Sequence, residues 1–154
     1  MSFSSDIKVE LSKISNLADK LCVKSELYGY LCTTNVSEER GCIKFSTENE
    51  YNINRFSKLL NNINISKYNI EIVGKNYTIT ISRDESKALK QVYKSYIVNE
   101  TEEEEKAYIR GTFLGSGSIN NPKNKYHLEV KLKTKNNAEN IIKILSRYNI
   151  SIKI

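Results

Sequence analysis

The sequence predicts an α+β domain made of two similar halves, a pseudo-two-fold duplication of an αββαββα order with antiparallel sheets and an incomplete second half. Three observations predict it. An apolar helical stretch with a glycine in its middle, Glu26-Leu27-Tyr28-Gly29-Tyr30-Leu31-Cys32-Thr33-Thr34-Asn35, returns in altered form at Tyr108-Ile109-Arg110-Gly111-Thr112-Phe113-Leu114-Gly115-Ser116-Gly117-Ser118. Each copy is followed by a polar turn, an alternating strand and an amphipathic helix. The return comes after about 80 residues, too long for a solenoid repeat. One domain, residues 1–154, with a first half of about 20–99 and a second of about 100–154, is the expected organisation.

The elements follow in order. Ser4 or Ser5 caps a first helix carrying Ile7, Leu11 and Ile14 on one face and ending near Asn16. The first glycine helix is expected from about Ser25 to Thr34. A polar turn, residues 35–41, leads into the alternating strand Cys42–Thr47, and a helix follows with Ile53, Phe56, Leu59, Leu60 and Ile63 at helical spacing. Tyr68–Val73 and Tyr77–Ile81 flank Gly74-Lys75-Asn76, a hairpin signal with alternation on both sides. Residues 84–97 read as the helix that closes the first half. The second half opens at Thr101, where Glu104 three residues on makes a capping box and the acids Glu102 to Glu105 favour the helix dipole. Its glycine helix runs on to a turn over residues 120–124, a strand His127–Lys133, a helix over 136–147 and a last strand Asn149–Ile154. The second half lacks counterparts for the strand at Tyr77–Ile81 and the helix after it, so the chain is expected to be part of something longer.

The glycines supply the packing argument. A glycine inside a helix costs roughly 1 kcal/mol relative to alanine, so its recurrence calls for a compensating contact. Gly29 with Thr33, and Gly111 with Gly115, lie four residues apart and share one helix face. They are the expected interface at which the two helix backbones approach. Arg110, beside Gly111, is expected to pair with an acid across that interface.

Composition narrows the class. With 154 residues and 39% hydrophobic content the chain suffices for one core. No stretch approaches the roughly 20 apolar residues of a membrane span, and the start lacks the basic and apolar regions of a signal peptide. A cytoplasmic, nucleoid-associated location is the expectation. Cys22, Cys32 and Cys42 match neither a zinc spacing nor a disulfide framework and read as reduced fillers. The net charge is +6, and residues 106–154 hold ten Lys or Arg against Glu129 and Glu139. That balance favours a polyanionic partner.

The order of elements, with a glycine-bearing helix opening each half, resembles the LAGLIDADG homing endonucleases. More specifically, Ala107 to Ile119, with Asn121-Pro122 and Tyr126-His127-Leu128-Glu129, is similar to the signature of WhiA-type regulators. The opening Ser2 to Leu11 and Glu26-Leu27-Tyr28-Gly29 resemble the same family. The resemblance implies a bacterial DNA-binding regulator tied to sporulation, cell division and the cell cycle, in which a degenerate LAGLIDADG-like domain precedes a helix-turn-helix domain. On that resemblance, the helix-turn-helix domain is expected to lie outside this chain, which leaves sequence-specific operator binding by this piece alone in question.

Homing endonucleases of this type hold divalent cations with one acid at the end of each glycine helix. Laying the nine-residue motif over Leu27–Asn35 puts Thr34 at the acid position, and over Ile109–Gly117 puts Ser116 there. Neither is a carboxylate, so neither an enzyme activity nor a metal or other cofactor is expected. His127, the only histidine, has no nucleophile or metal partner in the pattern and reads as a DNA or solvent contact. Alternation places Lys44, Ser46, Asn69, Glu71, Thr78, Thr80, His127, Glu129, Lys131, Lys133, Ser151 and Lys153 on the sheet face away from the helices. Lys44, Lys131, Lys133 and Lys153 are the candidate contacts to phosphates of double-stranded DNA. The alternative is a protein-interaction module that docks a partner such as its own helix-turn-helix domain; no membrane and no small-molecule substrate is implied.

Overall fold

A computed structural model describes residues 3–15, 17–94, 96, 101–119 and 127–148. The elements run α1 (Phe3–Ser12), α2 (Lys20–Leu31), β1 (Val36–Glu39), β2 (Cys42–Thr47), α3 (Glu50–Asn62), β3 (Tyr68–Val73), β4 (Asn76–Ile81), α4 (Arg83–Tyr93), α5 (Glu102–Ser116), β5 (Gly117–Ile119), β6 (Leu128–Val130) and α6 (Lys135–Ser146). The first half forms a four-stranded antiparallel sheet in the order β1-β2-β4-β3, and the second contributes the pair β5-β6. The expected final strand, Asn149–Ile154, lies outside the described residues.

Local chemistry sets these boundaries and corrects several expectations. Helix α1 starts at Phe3, with Ser4 and Ser5 inside it rather than capping it, and ends at Ser12, short of Asn16. The segment expected as a polar turn, residues 35–41, contains a strand: Val36–Glu39 pairs with β2 across a two-residue turn of Arg40 (φ 53°) and Gly41 (φ 80°). Two successive left-handed residues match the right-handed twist of the flanking strands. Helix α2 starts at Lys20 rather than near Ser25, because the Asp19 carboxylate caps it by accepting the N–H of Leu21 and of Cys22 at 3.1 and 3.3 Å. The strand expected over His127–Lys133 is only three residues long; beyond it, Leu132 forms an isolated bridge to Thr33. At α5 the expected cap is present, with Thr101 Oγ1 accepting the N–H of Glu104 at 3.2 Å.

The main core lies between the sheet and the helices. Val36, Ile43, Phe45, Ile79 and Ile81 form the sheet's inner face, packed on Val23, Leu27 and Tyr30 of α2 and on Ile53, Phe56, Leu59 and Leu60 of α3. Tyr30, Phe45 and Phe56 meet with ring centroids 4.8–5.2 Å apart. A smaller core under α6 gathers Cys32, Tyr108, Ile141, Ile144 and Leu145. Cys22 and Cys32 are buried and Cys42 half-buried, all three as free thiols.

Helices α2 and α5 make the most extensive helix contact of the fold, and the glycines explain it. A Cβ on Gly29 would collide with the Tyr108 carbonyl oxygen and sit 2.8 Å from the Thr112 nitrogen; one on Gly111 would collide with the Glu26 carbonyl. On Gly115 it would come within 2.7 Å of both Thr33 Oγ1 and Thr33 Cγ2. At Gly29 and Gly111 the approach is backbone against backbone, and at Gly115 it is backbone against the Thr33 side chain.

The paired helix ends and the candidate nucleic-acid interface

The helix pair is held asymmetrically. In the duplicated motif Glu26 corresponds to Tyr108, and Tyr28 to Arg110. On one flank Arg110 Nε donates to Glu26 Oε1 at 2.6 Å, while Arg55 from α3 grips the same carboxylate through Nε (2.6 Å) and Nη2 (2.8 Å). All three side chains are buried, and Arg55 Nη1 also donates to the carbonyls of Ser12 and Ile14 below α1. Burial alone would lower the Arg55 pKa, but the Glu26 carboxylate overrides it and holds the guanidinium above its ordinary value. On the other flank the corresponding pair is aromatic: Tyr28 and Tyr108 stack with centroids 5.7 Å apart. The acid expected opposite Arg110 is therefore Glu26. Arg55 escaped the sequence pattern, because an arginine on an amphipathic helix reads as solvent-facing.

Thr34 and Ser116 meet where the two helices end. The Lys131 carbonyl accepts both the Thr34 N–H, at 3.2 Å, and the Ser116 hydroxyl, at 2.6 Å, and the Lys131 N–H returns to Ser116 Oγ at 3.1 Å. Asn35 Nδ2 donates to the Gly115 carbonyl at 2.7 Å, and Lys133 N–H to the Cys32 carbonyl at 2.9 Å. The segment Lys131–Lys133 thus crosses the ends of both helices. Among the described residues no three His, Cys, Asp or Glu side chains gather as a metal site.

The charges of the outer sheet face are nearly balanced. Lys44 pairs with Glu39 at 2.9 Å; Glu71 lies exposed opposite Thr78 on the face it shares with Asn69 and Ser46, and Glu129 lies exposed on β6 opposite Ser118. Lys131 is exposed next to the helix ends, and His127 is exposed just before β6. Lys133 departs from the alternation pattern, because the strand has ended: it lines a cavity of about 300 Å³ between α2, β1, α4 and α6. Lys153 lies outside the described residues.

Two paired helices with their glycine faces together, each running into an antiparallel hairpin on one side of the pair, define a LAGLIDADG-like domain. Residues 105–154 match the family profile of the WhiA LAGLIDADG-like domain, and the chain is a LAGLIDADG-like domain of the WhiA type. It is 33% identical over 180 aligned residues to a probable cell division protein WhiA of Caldicellulosiruptor saccharolyticus, spanning all of this chain and 55% of that protein. The corresponding Staphylococcus aureus protein is 27% identical over 174 residues, with 99% and 55% covered. The chain spans about half the length of the curated relatives it matches.

Solved structures agree. Full-length DUF199/WhiA from Thermatoga maritima superposes with a TM-score of 0.77 at 25% identity, over all of this chain and 54% of that one. The homing endonuclease I-DmoI, in complex with DNA and Mn, superposes with a TM-score of 0.61 at 14% identity, over 88% and 82% of the two chains, a likeness of fold alone. Among the described residues no helix is long and apolar enough to cross a membrane.

Proposed function

We propose that this chain is the scaffold domain of a bacterial regulator tied to cell division, holding duplex DNA in the manner of a homing endonuclease without cutting it. One observation carries the reading: Thr34 and Ser116 stand together at the paired helix ends, where cleavage needs two carboxylates. A hard cation takes carboxylate oxygens, generates hydroxide and neutralises charge on the phosphate. Two alcohols supply no countercharge, and the Ser116 hydroxyl is already committed to the Lys131 backbone. The residues present do not fit a catalytic metal, and the protein is read as a non-enzyme.

The grip is assigned to the outer sheet face, with Lys131 at its centre and Lys44, His127 and Lys153 as further contacts. The likeness to I-DmoI, which is solved in complex with DNA, supports that geometry. With Glu39, Glu71 and Glu129 on or beside the face, the binding is weak and sequence-independent; sequence choice belongs to a helix-turn-helix domain. The reading places the protein on the nucleoid in the cytoplasm, with a role in sporulation where the host sporulates. A second reading, protein docking without DNA, is favoured by one feature: Ile70, Ile72 and Val73 on the edge strand β3 are 45%, 67% and 67% exposed.

Duplex titration at two salt concentrations separates the two. DNA contact requires affinity that falls as salt rises, with each lost phosphate contact lowering the log–log slope by roughly 0.9. Lys131→Glu must weaken it. Salt-independent binding unaffected by Lys131→Glu would replace the DNA reading with the docking one.

A further inference from the structure

The cavity of about 300 Å³ lined by Lys133 is not used by the helix ends or by the outer sheet face. Its position follows from the duplication. Helix α1 packs against α3, α5 and β5 on one flank of the helix pair. The corresponding flank, bounded by α6, α2 and β1, is where the cavity lies, and no described helix takes the seat that α1 fills on the other side. Helix α4 walls it without filling it.

The lining has two chemistries. Leu31, Ile43 and Leu89, with the outward edges of the stacked Tyr28 and Tyr93 rings, make an apolar wall. Burial pushes the Tyr28 hydroxyl up to about 12, so that ring is neutral at physiological pH. At the other end stand Lys133 and the first turn of α6, with Thr134 and Asn137. Lys133 is the exception in a neutralised neighbourhood. Lys90 at the rim is paired with Glu38 at 2.6 Å, whereas no described carboxylate lies within ion-pair distance of Lys133. Partial burial lowers the Lys133 pKa, outweighing the nearby Cys32 and Glu38, which raise it. An ammonium with no ion pair among the described residues, beside a helix N-terminus, favours an anion, and the apolar lining favours a hydrophobic body.

We infer that this cavity binds a small anion with an apolar body, the body against Leu31, Ile43, Leu89 and the tyrosine edges and its carboxylate or phosphate on Lys133, for which a naphthyl anion is the probe. The site is separate from the DNA reading and stands or falls without it.

The test titrates the full chain, followed by tyrosine ring and lysine Nζ signals in NMR, with 1-naphthyl phosphate, 1-naphthoate, 1-naphthalenemethanol and inorganic phosphate. Saturable binding of at least one naphthyl anion is expected, with shifts at Tyr28, Tyr93 and Lys133, and at least tenfold weaker binding of the neutral alcohol and of inorganic phosphate. The two anions distinguish a carboxylate site from a phosphate site. Lys133→Gln should lower affinity at least tenfold at unchanged melting temperature, and Lys133→Arg should restore most of it. Lys133 is exposed enough for both variants to fold. No saturable binding by either anion, equal binding of the alcohol, or full affinity in Lys133→Gln would overturn the inference.

Discussion

Glu26 is the shared acceptor of the buried charged triad. It answers two guanidiniums in a buried interface, so removing it leaves both uncompensated, a change that costs about 3–5 kcal/mol in buried pairs. Glu26→Gln should therefore lower the urea-unfolding free energy by several times as much as Arg110→Met, since the latter leaves the Arg55 pair intact and removes a side chain whose Nη2 has no partner among the described residues. Equal losses would show that the triad does not act as a unit. The glycines give a second contrast at this scale. Gly111→Ala drives a methyl into the Glu26 carbonyl and should cost more than the roughly 1–3 kcal/mol of ordinary overpacking, because the obstacle is backbone and cannot swing aside. Gly74→Ala meets open space and should cost only the roughly 1–2 kcal/mol of a left-handed backbone at φ 62°. Comparable melting temperatures for the two variants would contradict the close approach of α2 and α5.

Asp19 links residue to element. Its pKa is lowered by the Cys22 thiol, which donates to Oδ2 at 3.4 Å, and by the backbone N–H of Cys22 and of Leu21. A carboxylate depressed in the folded state adds stability that is present above the unfolded value and is lost as pH falls through the folded one. Its NMR titration should have a midpoint below the usual value of about 3.9, and a midpoint at or above that value would remove the cap from the account.

At the scale of elements, what could be read from the sequence tracks where local chemistry is unambiguous. The Gly74 hairpin, the Thr101 cap and the glycine faces of α2 and α5 announce themselves, because each needs a residue type that few other settings require. Strand β1 does not: Val36-Ser37-Glu38-Glu39 has one apolar residue, and the Arg40-Gly41 turn lacks the asparagine or aspartate that usually marks a two-residue hairpin. The start of α2 rests on Asp19 as its cap, a signal blurred by the apolar Leu17-Ala18 immediately before it. Lys133 was misplaced for a different reason: a period of two holds only while the strand lasts, and β6 ends at Val130. The cavity left no periodic signal, since Tyr28, Tyr93 and Lys133 come from three separate parts of the chain. Burial at this scale also orders the thiols. Iodoacetamide should modify Cys42 before Cys32 and Cys22, whose thiol is pushed up to about 11 chiefly by burial, as read by peptide mass spectrometry.

At the scale of the molecule, duplication explains both the shape and its asymmetry. Two copies of one helix meet through glycines, but one flank of the pair is closed by a charged triad under α1 and the other by stacked tyrosines beside a cavity. Both flanks converge on the helix ends, where Lys131 ties Thr34 to Ser116. A scaffold that keeps this convergence while carrying alcohols in place of acids is expected to retain the form of a nuclease and none of its chemistry. The direct measurement is incubation of the chain with supercoiled plasmid in magnesium, resolved on agarose against a chain-free control. The account predicts unchanged supercoiled DNA at every protein concentration; magnesium-dependent nicked or linear product that copurifies with the chain would contradict it.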